Sequence, residues 1–164
     1  MLRLRSRFHN ATQARFLLNL WPPLLFSGIR ITELSPDFRH MKATLKNWPG
    51  TRNAHGTQFG GSLFAMTDVT YSVMLNGLMG KRYFVWDKSA HIDFIKPGRS
   101  AVYIECTLTD EMLQDIYKHT QNGDKYLPEM KVHIFDKHGD TVAIVTRVLY
   151  VRLKPAFRPK QQEN

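Results

Sequence analysis

The stretch from Asn53 to Met79 limits the chain most. It opens as a loop, Asn53-Ala54-His55-Gly56-Thr57-Gln58-Phe59-Gly60-Gly61, and continues from Ser62 to Met79 as a segment apolar on almost every side. Apolar residues with no polar face mark a helix enclosed by its own fold rather than one lying on a surface. The segment is too short for a membrane span, and Thr67, Asp68, Thr70 and Ser72 interrupt it. Gly60 and Gly61 at its start let the backbone approach a ligand and leave the first helical N–H groups pointing outward. Such a start attracts an anion or a polarised carbonyl oxygen. Asp68 is the one carboxylate in the segment. It must be paired, hydrogen-bonded or open to a cleft. The plain structural reading is a tight loop with Ser62 as N-cap and Asp68 on a buried hydroxyl. Together, the glycine start and the acid point to a site.

The remainder reads as strands and two further helices. Asn10 followed by Gln13 resembles a capping box, and a short helix is expected from about residue 10 to Trp21, stopped by Pro22. Strands are expected at Ile29 to Leu34 and Phe38 to Asn47, the second with Met41, Ala43 and Leu45 inward. After the central helix, Tyr83 to Ile95 alternates with Phe84, Trp86, Ala90, Ile92 and Phe94 on one side, and Tyr83, Phe84 and Trp86 are expected in the sheet core. Ala101 to Thr109 places Val102, Ile104, Cys106 and Leu108 inward. Asp110 to Thr120 is a helix with acids first and Lys118 and His119 last. Leu127 to Phe135 and Thr141 to Leu153 form a hairpin. Residues 1 to 9 read as frayed and the tail from Lys154 as loose. The order predicts an α+β fold: one antiparallel sheet wrapped around one long central helix, in a single domain spanning residues 1–164.

Composition narrows the partners. Of 164 residues, 43% are hydrophobic and 23% charged, as in a globular chain. The formal charge of +9 favours an anionic partner. The basic residues are dispersed and no nucleic-acid-binding signature is present, so no nucleic acid is expected. The single Cys106 excludes an internal disulfide and fits the cytoplasm. Phe16 to Phe26, behind Arg3, Arg5 and Arg7, is broken by Asn19, Pro22 and Pro23 and does not read as a signal peptide. The histidines His91, His133 and His138 lack the spacing of a closed zinc site, so neither metal nor cofactor is expected.

A glycine-rich entry to an enclosed helix, followed by strands, resembles the hotdog fold of acyl-coenzyme A thioesterases. The phenylacetic-acid-type branch has an asparagine, a His-Gly-Gly and an aspartate, and Asn53, Phe59-Gly60-Gly61 and Asp68 fall at those spacings. The chain is still more similar to a hotdog family of unknown function, regarded as thioesterase-like. It shares with that family Trp21-Pro22-Pro23, Gly56-Thr57-Gln58-Phe59-Gly60-Gly61-Ser62-Leu63, Val85-Trp86-Asp87-Lys88 and Asp93-Phe94-Ile95-Lys96-Pro97-Gly98.

The resemblance implies that Gly60 or Gly61 N–H would polarise a thioester carbonyl. Asp68 would attack that carbonyl or activate water, with Asn53 orienting the nucleophile or the loop. Phe59 stands where the better-known branch has histidine, so the backbone suffices, His55 replaces it, or the protein is not a thioesterase. Phe59 and Ser62 would line the substrate site, and Tyr71 and Ser72, a turn beyond Asp68, would hold its carboxylate. Lys81, Arg82, Lys96 and Arg99 are candidates for the phosphates of coenzyme A. The expected partner is an acyl-coenzyme A or acyl-carrier-protein thioester, and the expected assembly a homodimer or homotetramer. A non-catalytic binder of the same thioesters, or a structural dimer whose acid is merely buried, would give the same pattern.

Overall fold

A computed structural model describes residues 10–159. The frayed start expected at 1–9 and the last five residues of the tail lie outside the described residues. Helix α1 (Ala11–Leu20) is capped by Asn10, whose side chain accepts from Gln13 N–H at 2.8 Å. Pro22 does end it, but Pro22 and Pro23 then occupy the first turn of a second short helix, α2 (Pro22–Phe26). Proline suits that position because its missing N–H would have had no helical partner. Strands β1 (Ile29–Leu34) and β2 (His40–Leu45) follow. The second is shorter than the expected Phe38 to Asn47 at both ends, and starts late because Phe38 takes a left-handed φ of 58° in the turn before it. Its ring presses on Gly77, where any Cβ would collide with it.

The central helix runs in two pieces, α3 (Gly60–Asp68) and α4 (Tyr71–Met79). The break sits at Thr70, whose ψ of −102° leaves the helical region. Thr70 is wholly buried, and both its N–H and its Oγ1 donate to the Thr67 carbonyl, at 3.3 and 2.6 Å. That carbonyl would otherwise accept from Tyr71 N–H in a continuous helix. Both pieces are enclosed: Met66, Met74 and Leu75 are fully buried, worth about 1.5–3 kcal/mol each by area removed from water.

Beyond the helix come β3 (Tyr83–Phe94), β4 (Val102–Thr107), α5 (Asp110–Thr120), the two-residue β5 (Lys125–Tyr126), β6 (Glu129–Asp136) and β7 (Thr141–Leu153). They form one antiparallel sheet in the order β1-β2-β4-β6-β7-β3, with β5 also paired to β7. The tail is better fastened than its composition suggests. Lys154 N–H donates to Arg82 O and its Nζ to Lys81 O, while Arg158 Nε donates to Leu153 O.

One register shift corrects the reading of β3. Lys88 is an extra residue between Asp87, opposite Leu149, and Ser89, opposite Val148. A bulge of one residue reverses which side chains face inward. Tyr83, Val85 and Asp87 therefore share the inner face with Ala90, Ile92 and Phe94, whose partners Arg147, Val145 and Ala143 are buried. Phe84 and Trp86 lie on the outer face, exposed, with Trp86 stacked on Tyr150 at 4.3 Å. They are not sheet core.

The two ends of the sheet are treated differently. Asn19 of α1 lies along β1 and engages both backbone groups of Ile31, donating to its O at 2.9 Å and accepting from its N–H at 2.7 Å. Arg15 adds a bond to Thr32 O at 2.8 Å. A side chain thus replaces a neighbouring strand. At the other end, β3 pairs only with β7 among the described residues; Asn76 of α4 donates its Nδ2 to Val85 O at 3.1 Å, and no second strand lies along the rest of that edge.

Candidate active site

The loop before α3 is built by its own polar side chains. Asn53 Oδ1 accepts from the N–H groups of His55 and Thr57 at 3.0 and 3.1 Å, and its Nδ2 donates to Thr57 Oγ1 at 2.9 Å. Asn53 is thus the staple of the turn, and His55 stands exposed at its tip. Gln58, buried, ties the loop to the sheet: its Nε2 donates to Leu45, Lys46 and Ser100 carbonyls and its N–H to Gly98 O. These bonds set where α3 begins.

Phe59, not Ser62, is the N-cap residue, and no side chain caps the helix. Ser62 is buried in the first turn. The Gly60 and Gly61 N–H groups have no acceptor among the described residues. Both glycines lie tight against aromatic rings. A Cβ on Gly60 would lie 3.0 Å from the Phe94 ring, and one on Gly61 would collide with the Phe59 ring. The helix start is therefore an open pair of donors between two exposed phenyl rings.

Asp68 ends α3, and its carboxylate is held by a residue the sequence analysis did not single out. Arg147 of β7 is almost fully buried under the helix. Its Nη1 donates to Asp68 Oδ1 at 3.0 Å, its Nε to Thr67 Oγ1 at 3.0 Å and its Nη2 to Phe64 O at 3.2 Å. The Phe64 ring lies 5.1 Å from the guanidinium carbon. A guanidinium keeps its charge when buried, and its planar fork can bind several acceptors at once. The Asp68 side chain is 57% exposed, so one oxygen is anchored and the group still reaches solvent.

A second carboxylate meets the same nitrogen. Asp87 Oδ1 lies 3.3 Å from Arg147 Nη1, a charge contact without hydrogen-bond geometry, and that oxygen is otherwise buried and unpartnered. Burial raises the Asp87 pKa, and the nearby Asp68 charge adds to the rise, against the pull of Arg147. Both residues had a sequence signal. Asp87 shares parity with Tyr83 and Val85, and Arg147 shares parity with Ala143, Val145, Leu149 and Val151, all buried except Asp87, which is half-buried. A charge on the apolar side of a strand is the pattern to look for.

The other candidates are dispersed. Tyr71 does not reach Asp68; it is buried beside Cys106, and burial pushes its pKa up to about 12. Ser72 Oγ donates to the backbone O of Asp68 at 2.8 Å rather than to its carboxylate. Lys96 bridges Asp136 and Asp140 at 2.9 and 2.7 Å. Lys81 and Arg82 precede β3 and Arg99 follows it, so a strand of 12 residues, about 40 Å when extended, separates them. Two shallow surface depressions, one lined by Ser35, Arg39, His40 and Asp110, the other by Lys96, Arg99 and Asp136, include no residue of α3.

A free-donor helix start and an anchored carboxylate on a sheet-wrapped helix invite comparison with known proteins. The family described as a domain of unknown function, DUF4442, matches residues 9–151. The chain belongs to that family. No curated protein matches it. Among solved structures, a Pseudomonas aeruginosa protein of unknown function described as a "probable thioesterase" is 20% identical, with 87% of this chain and 95% of that one covered at a TM-score of 0.74. The Escherichia coli PaaI protein of the phenylacetic acid degradation operon is 17% identical over 87% and 92%, at 0.62. A Haemophilus influenzae thioesterase is 15% identical over 89% and 91%, at 0.60. These likenesses show the hotdog fold for this DUF4442 chain, as its antiparallel sheet around a central helix requires. None of the helices among the described residues is long and apolar enough to cross a membrane.

Proposed function

We propose that the chain is a thioesterase acting on an acyl-coenzyme A or acyl-carrier-protein thioester, with each site shared between two copies. The observation that carries this reading is the separation of the two halves of the site. Gly60 and Asp68 are eight residues apart on one helix, about 12 Å at 1.5 Å per residue. One thioester carbonyl cannot touch both. The Gly60 end of α3 packs on Phe94, at the end of β3, while Asp68 shares Arg147 with Asp87, nearer its beginning. Pairing two open β3 edges antiparallel about a two-fold axis would bring the end of one strand against the first half of the other. The donors of one copy would then face the carboxylate of the second. The same pairing would bring Arg99 of one copy toward Lys81 and Arg82 of the other, near enough to share the phosphates of coenzyme A. Two such dimers stacking would make a homotetramer.

In the reaction, Asp68 takes a proton from water and the oxygen adds to the thioester carbon. The charge that gathers on the carbonyl oxygen is met by the Gly60 and Gly61 N–H groups at the helix start. The carbon–sulfur bond then breaks and the thiolate leaves, taking the proton. Arg147 keeps Asp68 in place throughout. The lone buried Cys106 fits work in a reducing compartment such as the cytoplasm.

A second reading, a non-catalytic binder of the same thioesters, is favoured by Phe59, whose ring lies on Gly61 and cannot donate. A panel of acyl thioesters with free-thiol detection separates the two. Turnover that drops about 10²-fold or more in Asp68→Asn, with melting little changed, supports hydrolysis. Affinity for a thioester without turnover supports the binder.

A further inference from the structure

Helix α1 turns Ala11, Ala14 and Leu18 to the protein and its other large apolar residues to water. Ala11, Ala14 and Leu18 are buried, whereas Phe16, Leu17, Leu20, Trp21, Leu25 and Phe26 are exposed across α1 and α2, Phe16 by 62% and Phe26 by 75%. They are carried by two short helices that lie in contact, joined by the extended Trp21. The helix cannot roll to bury them, because Asn19 is bonded to both backbone groups of Ile31 and Arg15 to Thr32 O. A rimmed apolar patch of this kind marks an interaction surface.

The segment that carries these side chains is basic in sequence. The first 32 residues contain Arg3, Arg5, Arg7, Arg15 and Arg30 and no aspartate or glutamate. We propose that α1 and α2 dock the protein on an anionic lipid surface. Leucine and aromatic side chains enter the boundary between headgroups and acyl chains, tryptophan resides well at that depth, and arginines meet the lipid phosphates. A second copy is the poorer occupant. A two-fold contact would bring together two copies of a basic segment that has no carboxylate of its own to pair its arginines. Nor does the open β3 edge compete for the patch, since β1 and β3 are opposite ends of the sheet. The inference goes beyond the proposed activity and is independent of it.

Vesicle co-sedimentation of the full chain tests the proposal without any assay of hydrolysis. Binding is expected to vesicles of phosphatidylcholine with about 30 mol% phosphatidylglycerol, weaker to phosphatidylcholine alone, and reduced by salt. Phe16→Ser combined with Phe26→Ser is expected to lower binding at least about tenfold with an unchanged circular dichroism spectrum. Both positions are exposed, and Leu25→Ser is a second variant expected to act in the same direction. A wild-type chain that stays in the supernatant overturns the proposal, as does equal binding by folded variants. So does a wild-type mass in light scattering that falls in the variants, which would mean that a second copy covers the patch.

Discussion

Arg147 Nη1 lies 3.0 Å from Asp68 Oδ1 and 3.3 Å from Asp87 Oδ1, so one buried nitrogen serves two carboxylates from different elements. Removing the arginine leaves Asp87 half-buried without a counter-charge and frees Asp68 to swing. Arg147→Met is therefore expected to destabilise the fold by about 3–5 kcal/mol, as when one partner of a buried pair is lost. Adding Asp87→Asn to that variant should recover part of the loss, because the stranded charge is gone. Denaturant melts of the two single variants and the double variant check this; strict additivity would mean that the two side chains do not interact.

The raised pKa of Asp87 sets the sign of a pH effect. In the unfolded chain the carboxyl loses its proton near its ordinary value of 3.8, while in the fold it holds the proton to higher pH. Across that window the native state binds more protons, so this group's contribution to stability falls as pH rises from 3.8 through the raised value. Asp37, bonded to the Ser35 hydroxyl, Glu111, lowered by the nearby Thr109 hydroxyl, and Asp136, bonded to Lys96, are lowered instead and act oppositely. The clean measurement is the difference between wild type and Asp87→Asn, which should show the variant gaining relative stability with rising pH over that interval.

Complementation tests the shared site. Gly61→Val spoils the helix start, and Asp68→Asn removes the base; each homodimer should be nearly inactive. A heterodimer of the two keeps one intact site, made from the glycines of one copy and the aspartate of the other. Random mixing makes half of the dimers mixed, so about a quarter of wild-type activity should return. No recovery after subunit exchange would place the whole site in one copy.

Cys106 offers a probe of the core. It is buried on β4, and burial pushes its thiol up to about 12. The thiolate is the reactive form, so aromatic disulfide reagents should label the native protein only as fast as it opens. Labelling within seconds without denaturant would contradict this placement.

Elements governed by local pattern were legible in the sequence. Helix α5 spans the expected Asp110–Thr120, because Thr109 caps it, accepting from Met112 N–H at 3.3 Å, and its charges follow the helix dipole. Strand β7 likewise runs over the expected Thr141–Leu153. What escaped depended on contacts between distant segments. The bulge at Lys88 is invisible to a period of two and reversed the reading of Phe84 and Trp86. The break at Thr70 comes from a hydroxyl competing for one carbonyl inside the core. In the candidate site the glycine start and Asp68 were readable as residue types at a spacing. Their partners were not, since Arg147 is 79 positions from Asp68 and only folding brings them together.

The unequal edges of the sheet have a consequence for growth. A chain with two bare edges could add neighbours without end, each new copy offering another ledge, as fibrils do. Here the Asn19 carboxamide occupies the β1 ledge, and among the described residues the length of β3 beyond Val85 is left for addition. Edge joining through β3 would then terminate after a single event, with the Asn19 and Arg15 side chains guarding the other end against polymerisation.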